Sequence, residues 1–289
     1  MTRRALDEAA PLFEEHARPL HAIYEHWERH QWSPLAIDFT IDTATFQGLD
    51  DASRERILWI LGQRFAAEFN VAALLGPFLS AAPDYGTALV LATQVADEYR
   101  HVQSLVRIYE DVVGIREGMS EIQAFANGYL DPVAATLYEA LDAGVRPLVT
   151  RPDEDTFLIG VIAYHVIGEG VIGATTQRLL PGQLAAIGPF PGLIEAQRLA
   201  TLDESRHIAL GVVHARRRVA ENPEYAWSVF GYVVDGFRAI VMQLLDGLDD
   251  GLRERLHTTY GLEAENLAEI VMRTLDRRLR SIGVQDQAH

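Results

Sequence analysis

Apolar side chains recur every three or four residues along most of the chain, which is the period of a helix with one buried face. Alternating patterns typical of strands are missing. Asp50 and Ser53 offer N-caps to the first long pattern, and Pro152 and Pro223 precede later ones. Several patterns exceed about 20 residues, which is typical of a bundle with a site between long helices. The predicted helices cover about 53–75, 86–113, 120–142, 153–180, 190–220, 224–247 and 263–281.

We therefore predict an all-α fold. No Ser/Gly-rich linker or block of charge marks a boundary, so we expect residues 1–289 to form a single domain. Within it, 1–35 would form an N-terminal arm or helix, 53–220 the core helices that carry the site, and 224–281 the C-terminal helices.

The composition excludes several function classes. The 25 basic and 41 acidic side chains give a formal charge of −16, which argues against nucleic acid as a partner because phosphate binding needs a basic surface. The absence of cysteine removes disulfides, thiolate zinc sites and iron–sulfur ligation. No apolar run reaches the ~18 residues that span a bilayer, and residues 1–10 lack a signal-peptide core. We expect no transmembrane segment and a cytoplasmic protein.

The strongest chemical signal is a duplicated helical turn. Residues 97–101 read D-E-Y-R-H and residues 203–207 read D-E-S-R-H. Because positions three apart on a helix lie on one face, each copy directs a glutamate and a histidine the same way. The pairs are Glu98 with His101 and Glu204 with His207.

Each copy follows another glutamate in an apolar segment. Glu68 lies 30 residues before Glu98, and Glu169 lies 35 before Glu204, which leaves room for a helix to turn back. Four carboxylates and two imidazoles in this order are the ligands by which ferritin-like proteins hold two iron or manganese ions. One such motif alone is typical of a solvated face with ion pairs, but its duplication favours a dimetal site.

Several neighbouring residues could support these ligands. Asp97 and Asp203 each precede a ligand glutamate, where carboxylates commonly orient metal-bound histidine, and we favour Asp203. Arg100 and Arg206 could pair with these acids or play a purely structural part. His165 is the one spare histidine close to the predicted ligands.

From about residue 27 to residue 235, the order and spacing of these residues resemble ribonucleotide reductase small subunits and their relatives. In those relatives a hydrogen-bonded electron route to the metal uses residues that match Trp32, Asp203 and His101; Trp32 could equally be a core aromatic. The radical tyrosine of the reductase subunits would match Leu105 here, and no aromatic residue follows Tyr260. These two departures weaken the reductase interpretation.

The chain is more similar to the small-subunit-like ligand-binding oxidases, which assemble a mixed manganese/iron site. In that family a valine Cβ three residues after the first ligand becomes joined to the phenolic oxygen of a tyrosine five before the third. Val71 and Tyr164 have these spacings relative to Glu68 and Glu169. Five residues fit an ideal α-helix poorly, so we expect a π-bulge near 168–170. Otherwise Tyr164 is a buried aromatic.

This resemblance implies a ferritin-like bundle with a four-helix dimetal core and additional helices. It further implies O2 activation at Mn and Fe, with two Fe as the alternative cofactor. A long-chain fatty acid or similar apolar ligand would bind at the metals, where 71–75 and 170–174 could line a channel or simply pack closely. A homodimer is expected as well.

Other functions stay open. The ligand set also suits a di-iron monooxygenase or N-oxygenase; many N-oxygenases carry an extra histidine ligand, but His165, the only nearby spare, is disfavoured by its helical angle. A radical-generating reductase small subunit, or a metal-storage or lipid-binding protein without turnover, is a further alternative.

Overall fold

The computed structural model describes residues 19–283 as helices joined by short turns, with no strand in that range. Residues 1–18, which include part of the predicted N-terminal arm, lie outside the described residues, as do 284–289. A 3-10 turn covers Pro34–Ala36 and π-helices cover Tyr109–Val113 and Ile162–Gly173. The α-helices are α1 (19–29), α2 (Thr40–Gly48), α3 (Asp51–Ser80), α4 (Tyr85–Ile108), α5 (Met119–Asn127), α6 (Pro132–Val145), α7 (Pro147–Thr150), α8 (Glu154–Val161), α9 (Ala174–Ile187), α10 (Pro191–Glu221), α11 (Pro223–Asp246), α12 (Asp250–Tyr260) and α13 (Ala264–Ile282).

The central bundle consists of α3, α4, the longer π-helix and α10. Helix α3 packs along α4, and α10 packs against both α4 and the π-helix. Aspartate N-caps begin α3, α4 and α8: the side chains of Asp50, Asp84 and Asp153 accept hydrogen bonds from backbone N–H groups three residues ahead. The all-α bundle predicted from periodicity is confirmed.

The observed helices differ from those predicted from the periodicity in two respects. The predicted helix 120–142 is two helices, α5 and α6, because the Asp131 side chain caps a new helix that begins at Pro132. The short helices α2 and α12 were not predicted, since nine to eleven residues carry too few turns for a clear period.

Two helical stretches are long and apolar enough to cross a bilayer by length and composition alone, and the expected lack of a transmembrane segment stays a prediction. The two stretches are Glu154–Ile187 and Pro223–Asp246. In the first stretch, 72% of the most apolar 18 residues are buried inside the protein, as in the core helix of a bundle. In the second, only 22% is buried, so α11 leaves an apolar face uncovered by the described residues.

A buried histidine on α10 makes the fold sensitive to acid. His214 packs edge-on against Phe157, with ring centroids 4.7 Å apart. Burial, together with the charges of Arg217 and Arg218, lowers the pKa of His214 to about 4. The unfolded chain takes up this proton near pH 6.5, so stability is complete above that value and falls as the pH drops towards 4.

We expect His214→Leu to reduce the loss of unfolding free energy between pH 7 and pH 5 by about 2 kcal/mol, because the unfolded state then has no proton to gain at this position. Urea unfolding at both pH values measures the change. His257→Leu, at an exposed position on α12, is the control. Equal acid sensitivity of wild type and His214→Leu would contradict the prediction.

Candidate metal centre

Six buried ligand side chains meet in the middle of the central bundle. Helix α3 supplies one carboxylate, α4 and α10 each supply a Glu-x-x-His pair, and the π-helix supplies the last carboxylate. They form two groups whose candidate ligand atoms lie within 4.8 Å of one another. The groups are Glu68, Glu98, His101 and Glu204, and Glu98, Glu169, Glu204 and His207. Because Glu98 and Glu204 belong to both groups, the arrangement offers two adjacent metal positions with two shared carboxylates.

The two histidines occupy equivalent places in this arrangement. His101 Nδ1 lies 3.3 Å from a Glu68 oxygen and 3.5 Å from a Glu98 oxygen. His207 Nδ1 lies 3.1 Å from the other Glu98 oxygen and 3.7 Å from a Glu169 oxygen. Glu98 thus extends one oxygen toward each histidine, as a carboxylate that bridges two ions would.

The other nitrogen of each histidine contacts the aspartate of the opposite motif. His101 Nε2 lies 3.1 Å from Asp203 Oδ2, and His207 Nε2 lies 3.2 Å from Asp97 Oδ2. Each D-E-x-R-H copy therefore positions the histidine of the other copy. With Nε2 engaged, Nδ1 of both rings is left to face the carboxylates.

The arginines of the two motifs tie the aspartates together. Arg206 Nη2 donates to Asp97 Oδ2 at 2.8 Å and to Asp203 Oδ1 at 2.5 Å. Arg100 Nη2 donates to Asp97 Oδ1 at 2.6 Å. Both aspartates are almost fully buried, so these charged hydrogen bonds offset the cost of holding two carboxylates away from water.

Without metal, protons must balance the charge of the buried glutamates. Burial and the neighbouring carboxylates raise the pKa of Glu169 well above its usual range. Burial also opposes the charged form of His101 and His207, yet hydrogen bonds to carboxylates outweigh it and raise the pKa of both rings. The cluster is therefore short of positive charge, which two divalent cations would supply.

Buried polar atoms that lack hydrogen-bond partners test whether these residues are suited to bind metal ions. Several oxygens of the glutamates and Nδ1 of both histidines have no hydrogen-bond partner among the described residues: Glu68 Oε2, Glu98 Oε1 and Oε2, Glu169 Oε2, His101 Nδ1 and His207 Nδ1. Such atoms normally cost about 1–3 kcal/mol each, and they all point into the same space. Oxygen and imidazole nitrogen are donors suited to Mn and Fe, so the residues fit a pair of these ions.

Two polar side chains that were not predicted from the sequence hold Glu68 and Glu169, the glutamates that belong to only one ligand group. Arg64 Nη2 donates to Glu68 Oε1 at 2.6 Å, one helical turn away. Gln94 Nε2 donates to Glu169 Oε1 at 2.7 Å, and Gln94 Oε1 lies 3.0 Å from His165 Nε2. The spacing of Arg64 on α3 could have revealed the first contact; Gln94 lies 75 residues from Glu169, and no local signal indicates it.

His165 does not join the ligands. The ring is fully buried, and burial lowers the pKa of His165 to about 3, so it is neutral. Its partner is Gln94, and it belongs to neither group of ligand atoms. The extra histidine ligand that an N-oxygenase would use is therefore not found at this position.

The π-helix places Tyr164 beside α3. The Tyr164 hydroxyl donates to the backbone carbonyl of Val71 at 3.1 Å. Burial and the surrounding glutamates raise the pKa of Tyr164 well above its usual range, so it keeps its proton. The predicted π-bulge near 168–170 is confirmed within the longer segment Ile162–Gly173. In π geometry five residues make about one turn, so Tyr164 and Glu169 share a face.

An apolar cavity of about 20 Å³ adjoins Glu68 and His101. Most of its walls are leucine, isoleucine and alanine side chains of α3, α4, α9 and α10, including Leu105 at the position of the reductase radical tyrosine. This volume holds about one water molecule. The segments 71–75 and 170–174, which could have lined a channel or simply packed closely, do not line it. A long-chain ligand would require these leucines to move.

Comparisons with known proteins identify the fold. No protein-family model matches the chain. A variant R2-like ligand-binding oxidase with anaerobically reconstituted Mn/Fe cofactor is 22% identical with a TM-score of 0.78, over 92% of this chain and 94% of that one. The R2-like ligand-binding oxidase from Sulfolobus acidocaldarius is 23% identical with a TM-score of 0.74, over 91% and 89%. The expected ferritin-like bundle is confirmed.

Proposed function

We propose that this protein is a dimetal-carboxylate oxidase that activates O2 at a Mn/Fe site, or at a di-iron site as the alternative. One observation carries the proposal: the two ligand groups share Glu98 and Glu204, and their partnerless oxygen and nitrogen atoms converge on one buried space. The similar structures named as oxidases with a Mn/Fe cofactor support the same conclusion. The bound ions would supply redox equivalents for O2 reduction.

The protein's own residues would hold and orient the site. Glu98 and Glu204, which belong to both ligand groups, would help hold both ions, and His101 and His207 would each contribute a nitrogen to one of them. Asp97 and Asp203 would fix the ring orientations, and Arg64 and Gln94 would restrain the terminal glutamates. Burial of the whole set excludes water, which limits loss of reactive species.

Several finer features belong to this proposal. Trp32 would be an electron entry, since its indole Nε1 donates to Asp203 Oδ2 at 2.8 Å and Asp203 contacts His101. A Val71–Tyr164 ether would form during the first O2 reaction. A long-chain fatty acid or similar apolar molecule would occupy an opened form of the cavity at Glu68, and solvent extraction of purified protein followed by mass spectrometry would detect it. A cytoplasmic homodimer stays a prediction.

The reductase alternative predicts a different residue near the site, whereas the monooxygenase alternative predicts the same ligands. The radical tyrosine of reductase subunits usually stands at the position of Leu105, although some subunits replace it; here the position holds a buried leucine that lines the cavity. A di-iron monooxygenase with the same six ligands would differ in substrate rather than in site structure. The oxidase therefore remains the function that these residues support best.

Oxygen consumption tests the function. We expect the metal-free protein, loaded anaerobically with Mn and Fe and then mixed with O2, to take up O2 in proportion to bound metal. An oxygen electrode gives the stoichiometry, and metal analysis gives the loading. Protein without metal is the control. Two bound ions without any O2 uptake would leave a metal-binding protein and contradict the oxidase.

A further inference from the structure

Beside the route at Trp32, a second tryptophan makes the same contact on the other half of the site. Trp27 Nε1 donates to Asp97 Oδ1 at 2.8 Å, and Asp97 Oδ2 lies 3.2 Å from His207 Nε2. On the first half, Trp32 Nε1 donates to an Asp203 oxygen at the same distance of 2.8 Å. The two halves thus have the same order: indole, carboxylate, imidazole.

This repetition follows from the crossed motifs. Asp97 and Asp203 precede corresponding glutamates in the two D-E-x-R-H copies, and each contacts the histidine of the other copy. Helix α1 and the turn after it then bring one tryptophan to each aspartate. Both indoles are partly exposed, whereas both aspartates and both histidines are almost fully buried. Each path therefore runs from the protein surface to one metal position.

We propose that Trp27, Asp97 and His207 form a second one-electron route, which serves the metal position on the His207 side. The proposal rests on the proposed dimetal function. In the step, a one-electron reductant at the surface loses one electron, which passes across the indole, carboxylate and imidazole to a trivalent ion that becomes divalent. No bond between heavy atoms forms or breaks. The Trp32 route would serve the His101 side in the same way.

Two electron routes would match the number of electrons needed to restore both ions after O2 reduction. Full reduction of O2 to two water molecules takes four electrons and four protons, and two divalent ions supply one electron each. Returning both ions to the divalent state then needs two single electrons. With one route to each position, neither electron has to cross the shared carboxylates.

Reduction kinetics of the metal-loaded, oxidised protein would test the second route. Reduced methyl viologen is mixed anaerobically with the protein, and the metal absorption and electron paramagnetic resonance signals are followed in time. We expect two phases in the wild type. Trp27→Phe should abolish the fast reduction of the ion beside His207, Trp32→Phe that of the ion beside His101, and the double variant both. Trp227→Phe, at a partly buried position on α11, is the matched control.

Metal titration of the same variants separates transfer from positioning. If Trp27 only held Asp97 in place, Trp27→Phe would weaken metal binding but leave the reduction rate of bound ions unchanged; that result would overturn the second route. Trp27→Tyr, which retains an oxidisable ring, should restore part of the fast phase. If the wild type binds two ions and Trp27→Phe leaves both reduction phases intact, only the second route is refuted. If the wild type binds none, the dimetal function falls too.

Discussion

A Glu98→Gln protein is expected to bind neither metal ion tightly, although it should fold. Glu98 is the carboxylate that extends one oxygen toward each histidine, so its loss removes a ligand from both positions. Changes to outer partners of metal ligands already cost about 10–100-fold in affinity, so the loss of a shared ligand should exceed about 100-fold at each site. Isothermal titration with Mn²⁺ and Fe²⁺, together with metal analysis, gives the stoichiometry.

Variants of the unshared ligands show whether the loss of both ions is particular to Glu98. Glu68→Gln and Glu169→Gln each change a residue of only one group, so each should weaken one ion and leave the other. Glu195→Gln, on an exposed part of α10, should leave both. Circular dichroism of each variant checks folding. Stoichiometric binding of two ions by Glu98→Gln would refute the shared-ligand assignment.

The six candidate ligands could be predicted because helical geometry is local. Two Glu-x-x-His turns define faces through the three-residue spacing alone, and an all-helical chain leaves few ways to bring four glutamates together. The crossed contacts are different. That Asp97 faces His207 rather than His101 depends on how α4 packs on α10. The Trp27 and Gln94 contacts likewise join residues 70 and 75 positions apart.

The helix boundaries show the same limit. Long helices such as α3 and α10 were predicted within a few residues because many turns repeat the apolar pattern. The break at Asp131 and Pro132 was missed, since apolar residues on both sides continue the period across it. The apolar face that α11 leaves uncovered could not be predicted either, because burial depends on which elements cover a helix and not on its own composition.

Tyr164→Phe is expected to abolish a covalent link that forms in the wild type. After anaerobic loading with Mn and Fe and exposure to air, wild-type protein should lose two hydrogens, and the peptides that contain Val71 and Tyr164 should stay joined. Formation of the ether from Cβ–H and O–H releases two electrons and two protons. With one electron from each ion this makes the four electrons that O2 reduction takes, and the other two protons come from solvent. The Tyr164 hydroxyl donates to the Val71 carbonyl oxygen at 3.1 Å and keeps its proton, so the two residues to be joined are already in contact.

Intact mass and peptide mapping measure this link, and a second tyrosine provides the control. Tyr138 on α6 donates to the Gln63 carbonyl at 3.3 Å and has its pKa raised by burial and by Glu68, so it too is a protonated tyrosine near the site. Tyr138→Phe should leave the link intact, whereas Tyr164→Phe removes the oxygen that forms it. Separate peptides in fully loaded, air-exposed wild type would rule out the ether and leave the metal centre itself unaffected. The two electrons that the ions do not supply would then have to come from an external reductant, and we would expect Trp27 and Trp32 to carry them.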